Sequence, residues 1–209
     1  MTTSEVNEIL VVFDEFLSSA DLGLVRTQAL KMEARFSPAT TVQMGRPGTL
    51  NVARRRADVL TDADTGDIGK FFKSQVEQAL PLVLEVLHLP VQKAQRISIQ
   101  ITSTADGGYY KPHTDNSPQD VNHRLLSFVY FCNQYRGSFQ GGELRIYSTQ
   151  SHEGMGDPDV QVYVISPEQN RVIFFRSDFV HEISPVVCMS NKLADTRLTV
   201  NGWIYFGMR

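Results

Sequence analysis

From residue 96 onward the chain breaks into short runs of β-branched and aromatic residues. They read "RISIQITST" (96–104), "RLLSFVYFCN" (124–133), "GELRIY" (142–147), "VQVYVIS" (160–166), "RVIFF" (171–175), "VHEISPVV" (180–187) and "RLTVNGWIYF" (197–206). Gly, Pro, Asn and Asp separate them, as between strands. So many short strands must cover one another as a sandwich or a closed barrel. Ahead of them the period is helical. In "SSADLGLVRTQALKMEARF" (18–36), Leu22, Val25, Ala29, Met32 and Phe36 recur at steps of three and four, with Ser18 and Asp21 as a capping box. A second helix is expected from about Asp67, with Ile68, Phe72, Val76, Ala79, Val83 and Leu87 as its stripe and Pro81 kinking or splitting it. Both stripes are core faces. "ILVVF" (9–13) reads as a short buried strand, and 37–64 as loop with one or two strands. The polar segment "STQSHEGMGDPD" (148–159) reads as a mobile loop. The class is α+β: a β-sandwich or jelly roll with helices packed on one face.

A length of 209 residues suits a single domain, 1–209, with 1–95 as a mainly helical support and 96–209 as the strand-rich core. The net charge of −3, with no like-charge block longer than "RRR" at 54–56, speaks against nucleic acid or a membrane surface as partner. "MTTSEVNEIL" lacks the basic start and apolar run of a signal peptide, and no apolar stretch reaches the length of a membrane span. Cys132 and Cys188 have neither zinc-ligand spacing nor a disulfide framework. A cytoplasmic, reducing location is expected; the oligomeric state is not set by any of this.

The stretch "GGYYKPHTDN" (107–116) places His113 and Asp115 two apart. At strand spacing both point to one side and can reach one ion. His181, in "SDFVHEISP", is the candidate third ligand. Two histidines and a carboxylate leave open positions on an ion, the facial arrangement of non-haem Fe(II) oxygenases. The spacing alone is common in unrelated chains. His88 at a helix end, His123 in a polar turn and His152 in the 148–159 loop read as ordinary non-ligand histidines.

Taken together and in order, "GGYYKPHTDN", "RLLSFVYFCN", "GGELRIY", "RVIFFRSDFVHEISPV" and "RLTVNGWIYF" resemble the prolyl 4-hydroxylase-like branch of the 2-oxoglutarate/Fe(II)-dependent dioxygenases, over about residues 96–206. The resemblance implies a double-stranded β-helix, a jelly-roll core with the N-terminal helices against one sheet. It implies Fe(II) held by His113, Asp115 and His181, with 2-oxoglutarate and O2 as cosubstrates and ascorbate as an accessory reductant. It implies hydroxylation of an unactivated C–H bond with release of succinate and CO2. It expects a basic residue early in the last strand to hold the distal carboxylate of 2-oxoglutarate. Arg197 matches, Thr199 lies on the same strand face, and Trp203 matches a pocket tryptophan.

The chain departs from the family in two ways. An insertion at 187–194 lengthens the step from His181 to Arg197, which makes Lys192 a rival anchor; Arg197 is preferred because it opens a strand while "SNKLAD" reads as a turn. Where relatives carry a tyrosine nine or ten residues before the first histidine, this chain has Ser103 and Thr104, too short to reach as far. Tyr110 is the alternative pocket tyrosine, and Phe131 stands where a polar aromatic is usual. Asn116 and Glu182, beside ligands, are candidate supporting groups. The substrate is expected to be a small molecule or a peptide, an amino-acid side chain by resemblance. It would be chosen by loops 37–64, 134–140, 148–159 and 187–194, with Arg54, Arg56, Arg136 and Asn116 as candidate contacts. Trp203 stands where the nucleic-acid-repair branch carries a second arginine. The rival readings are a cupin-like metal-binding module without turnover and a tailoring hydroxylase of a small natural product.

Overall fold

The structure, a computed structural model, describes residues 1–41, 49–116, 124–133, 137–190 and 192–207. The chain begins with strands β1 (Thr2–Val6) and β2 (Leu10–Asp14), then helix α1 (Ser19–Lys31). Five short strands follow: β3 (Ser37–Pro38), β4 (Thr40–Thr41), β5 (Thr49–Leu50), β6 (Arg55–Arg56) and β7 (Asp58–Leu60). Helix α2 (Gly66–Val86) leads into β8 (Arg96–Thr104), β9 (Tyr109–His113) and β10 (Arg124–Phe131). The rest is β11 (Gln140–Gly141), β12 (Leu144–Tyr147), β13 (Val162–Ile165), β14 (Val172–Arg176), β15 (His181–Ile183), β16 (Val186–Val187) and β17 (Arg197–Tyr205).

Two antiparallel sheets face each other. The larger runs β1-β2-β14-β10-β17-β8-β7-β3 and the smaller β13-β12-β15-β9-β6. Period-two alternation sends successive side chains of the large sheet into two different cores. Val11, Phe13, Phe128, Tyr130, Val172 and Phe174 face the helices, where Phe72 of α2 packs with its ring centroid 5.0 Å from Tyr130 and 5.9 Å from Phe128. Leu10, Val12, Val129, Phe131, Ile173 and Phe175 face the small sheet and meet Leu144 and Ile146. The expected jelly roll with helices on one sheet is therefore the observed fold. No helix among the described residues is long and apolar enough to cross a membrane.

Both helices form, but α1 stops at Lys31, so Met32 and Phe36 of the expected stripe lie beyond it, partly buried against the core. Ser18 caps α1, its Oγ accepting the Asp21 N–H at 3.1 Å and donating to the Asp21 carboxylate at 2.6 Å. Leu22, Val25 and Ala29 are buried. Helix α2 runs unbroken through Pro81, so the proline does not split it. Pro81 sits on the exposed side of the helix, away from the core stripe. Two strand expectations change. Residues 37–64 hold five strands, because β6 and β7 pair with the distant β9 and β8 and carry no local pattern. The run 180–187 splits at Ser184–Pro185 into β15 and β16, which join different sheets. Proline cannot donate to a ladder, which ends β15 there.

Candidate metal centre and anion pocket

Strand β9 lies against β15 with His113 opposite His181. Their rings stand 4.2 Å apart, centroid to centroid, and each residue is 4% exposed. Asp115 lies beyond the end of β9, so strand alternation does not aim it. A bend does: the Ser177 carbonyl accepts the N–H groups of both Asp115 (2.9 Å) and Asn116 (3.0 Å). The Ser127 hydroxyl then donates to Asp115 Oδ2 at 2.7 Å. Asp115 Oδ2 is 3.4 Å from His181 Nε2, and Oδ1 is 3.8 Å from His113 Nε2.

Both histidines are turned by the same device. Nδ1–H of His113 donates to the Lys111 carbonyl at 2.9 Å, and Nδ1–H of His181 to the Phe179 carbonyl at 3.0 Å. That orients both rings with Nε2 toward Asp115. Burial and the neighbouring His181 hold the His113 pKa well below its usual value, so its ring is neutral. Burial would raise the Asp115 carboxyl, but the two imidazoles and Ser127 outweigh it and keep the group ionised. The three donor atoms lie within 4.8 Å of one another. Donors each about 2 Å from an ion stand about 3–4 Å apart. Two imidazole nitrogens and a carboxylate at these gaps fit a divalent cation.

The triad opens into a cavity of about 870 Å³ between the sheets. Arg197, 2% exposed, lines it from the first residue of β17. Its Nε donates to the Gly142 carbonyl at 2.6 Å, and its guanidinium stands 4.9 Å from the Phe131 ring centroid. Nη2 is buried with no hydrogen-bond partner among the described residues. Burial pulls the pKa down to about 9 against the opposing charge of Glu143, so the group is still charged at neutral pH. A buried guanidinium edge facing a cavity fits an incoming carboxylate. The "GG" pair at 141–142 makes this possible. Both glycines have φ +72°, and a Cβ on Gly142 would stand 2.6 Å from Arg197 Cδ.

Tyr110 lines the cavity with its ring stacked on His113 at 3.5 Å. Trp203 lines it too, its buried Nε1 lacking an acceptor among the described residues. Thr199, expected to face the cosubstrate, is fully buried, donates to the Thr102 carbonyl at 3.5 Å and does not line the cavity. Lys192 is exposed and does not line the cavity. Thr104, opposite Arg197, lines it, while Ser103 points away to Thr196 at 2.9 Å. Glu182 turns outward and accepts the Tyr147 hydroxyl at 2.6 Å, because it alternates with the inward His181. Asn116 does not line the cavity; Arg136 and His123 lie outside the described residues. Among the arginines at 54–56, alternation along β6 buries Arg55 and exposes Arg56. Arg54 and Arg55 line the cavity, and Arg56 does not. Arg55, Arg124, Asn201 and Ser127 were not singled out by the sequence, and His152, read there as a loop residue, also lines the cavity.

A family model described as the 2OG-Fe(II) oxygenase superfamily matches residues 99–205. An uncharacterised PKHD-type hydroxylase of Synechocystis sp. is 30% identical over 189 residues, covering 90% of this chain and 60% of that protein. The chain thus spans about three-fifths of the length of that curated relative. A Pseudomonas putida prolyl-4-hydroxylase superimposes with TM-score 0.69 at 17% identity, over 95% of this chain and 93% of its own. A Trichoplax adhaerens prolyl hydroxylase, solved with a hypoxia-inducible-factor peptide fragment, gives 0.72 at 20% identity, over 95% and 84%. At those identities the likeness concerns the fold.

Proposed function

Because the chain belongs to the 2OG-Fe(II) oxygenase superfamily, we propose that it is a hydroxylase using Fe(II), 2-oxoglutarate and O2. The observation that carries this reading is Arg197, which lines the same cavity as the His113–Asp115–His181 triad and whose buried Nη2 has no hydrogen-bond partner among the described residues. A metal site alone would suit a cupin-like binding module, but such a module has no use for a buried guanidinium held ready for a carboxylate.

His113, Asp115 and His181 would hold the ion and leave positions open on it. Arg197 would take the distal carboxylate of 2-oxoglutarate in a two-pronged pair, its Nε side already fixed by Gly142. Phe131 and Leu144 keep that end apolar and exclude water. Tyr110 and Trp203 wall the substrate side. With Fe(II) and 2-oxoglutarate bound, the site would supply oxidative decarboxylation to succinate and CO2 coupled to hydroxylation of a C–H bond. The protein's part is to bind, orient and dry the reactants. The substrate we favour is an amino-acid side chain, free or within a peptide.

The test is succinate formation from 2-oxoglutarate by protein loaded with Fe(II) and then exposed to air, with a Mn(II)–2-oxoglutarate crystal structure as companion. Succinate above the level given by Arg197→Gln supports the reading. Metal binding without 2-oxoglutarate binding would return the protein to the binding-module class.

A further inference from the structure

The cavity carries more positive charge than 2-oxoglutarate can use. Arg55 is 8% exposed and lines the cavity. Its guanidinium carbon stands 4.9 Å from the Tyr110 ring centroid, and among the described residues it makes no side-chain hydrogen bond or ion pair. Arg54 lines the same wall, also without an ion pair among the described residues. Across the triad, Arg124 donates to the Tyr205 hydroxyl at 3.0 Å and to the Asp115 carbonyl at 3.2 Å, and lies 4.8 Å from the Trp203 ring centroid. None of the three has a carboxylate in ion-pair contact among the described residues.

A ring face returns about 0.5–2 kcal/mol to a guanidinium. Taking the charge out of water costs several kcal/mol. Asp115 also attracts Arg55 from beyond ion-pair distance, but neither it nor the Tyr110 ring gives the buried guanidinium a direct counterion. An anion entering the cavity would. That anion is not the distal carboxylate of 2-oxoglutarate, which Arg197 is placed to take. Arg124 and Phe131 stand at opposite ends of β10, and Arg197 lies over Phe131. Trp203, six residues along β17 from Arg197, is about 20 Å away at strand rise. Tyr110, the residue Arg55 covers, is stacked directly on a triad histidine. The second anion would thus sit beside the reacting centre.

We propose that the molecule hydroxylated here carries a carboxylate, received by Arg55 and Arg54 over Tyr110, with Arg124 and Trp203 walling the opposite flank. This rests on the hydroxylase reading and names its substrate class. The carboxylate can come from a free amino acid or from an acidic side chain in a peptide, and the chemistry of recognition is the same.

Calorimetry on protein loaded with Mn(II) and 2-oxoglutarate without oxygen decides it. The probes are free amino acids against their α-amides, and short peptides carrying Glu against the same peptides carrying Gln. At least one acid should bind tenfold or more tightly than its neutral partner, and whichever pair shows the difference identifies the source. Arg55→Gln should erase the preference, Arg55→Lys should keep part of it, and Arg54→Gln should weaken it. Retained 2-oxoglutarate binding reports that each variant is folded. The proposal is overturned if no acid outbinds its neutral partner, or if a folded Arg55→Gln protein keeps the preference. Failure of the hydroxylase reading looks different: the wild-type protein would not bind 2-oxoglutarate with Mn(II), or Arg197→Gln would bind it as well.

Discussion

Single side chains in this molecule are aimed by backbone carbonyls more than by other side chains. Lys111 and Phe179 turn the two imidazoles, Ser177 turns Asp115, and Gly142 holds Arg197. Removing one aimed group should then remove its function without disturbing its neighbours. His181→Ala is expected to abolish Mn(II) binding by calorimetry while the circular dichroism spectrum stays that of the native protein, because the ring faces a cavity. Tight binding by the variant would dissolve the triad. Arg197→Gln is expected to weaken 2-oxoglutarate by roughly two orders of magnitude or more, since losing a buried charge-assisted pair costs about 2–5 kcal/mol. Lys192→Ala should be mild, and the reverse ranking in a titration would move the anchor into the 187–194 turn. The triad and Arg197 were legible because they sit inside contiguous motifs. Arg55 was not, although Arg54 and Arg56 on either side of it were candidates. The parity of a two-residue strand follows from its pairing with Tyr109 and Tyr110, some 55 residues away, and no local pattern announces it.

At the scale of elements, periodicity carried the reading wherever a segment has one wet and one dry side, as in α1 and α2. It failed for β1, whose five residues are all exposed, and for β3 to β7, which are too short to alternate. The 148–159 segment is an intermediate case. Its composition reads as loop, and the structure gives it a single 3-10 turn at Glu153–Gly156. It is tied down at its base, where the Ser148 N–H donates to the Gln161 carbonyl and the Thr149 carbonyl accepts the Val180 N–H, at 2.9 and 2.8 Å. Its His152 reaches the cavity from an exposed position. A segment anchored at its ends and polar at its tip is suited to close over a bound substrate. Replacing 150–157 by a short Gly-Ser turn is expected to leave slow, uncoupled succinate formation largely intact and to depress substrate hydroxylation much more. Equal loss of both, measured side by side, would make the segment part of the cosubstrate pocket. No loss of either would make it a connector.

For the molecule as a whole, the question is whether the first 95 residues merely support the later strands or complete them. Strand β2 argues for completion. It pairs with β14 over Val172↔Phe13 to Phe175↔Leu10, deep in the large sheet, and Leu10, Val11, Val12 and Phe13 are each at most 2% exposed. Two of those side chains enter the helix-side core and two the core between the sheets, so one strand joins both hydrophobic clusters. At about 1.5–3 kcal/mol for each large apolar side chain buried, the four together are worth on the order of 6–12 kcal/mol, comparable to the net stability of a whole domain. Loss of β2 would also bare the edge of β14, an unpaired row of N–H and C=O groups flanked by Phe174 and Phe175. A chain beginning at residue 15 is therefore expected to aggregate or to melt without a cooperative transition. The full chain should show one calorimetric transition, raised further by Mn(II) with 2-oxoglutarate by about 2.7 kcal/mol at a hundredfold excess over Kd. If the shortened chain instead melts cooperatively and binds Mn(II) with native affinity, the strand-rich half folds by itself and the N-terminal segment is an accessory to it.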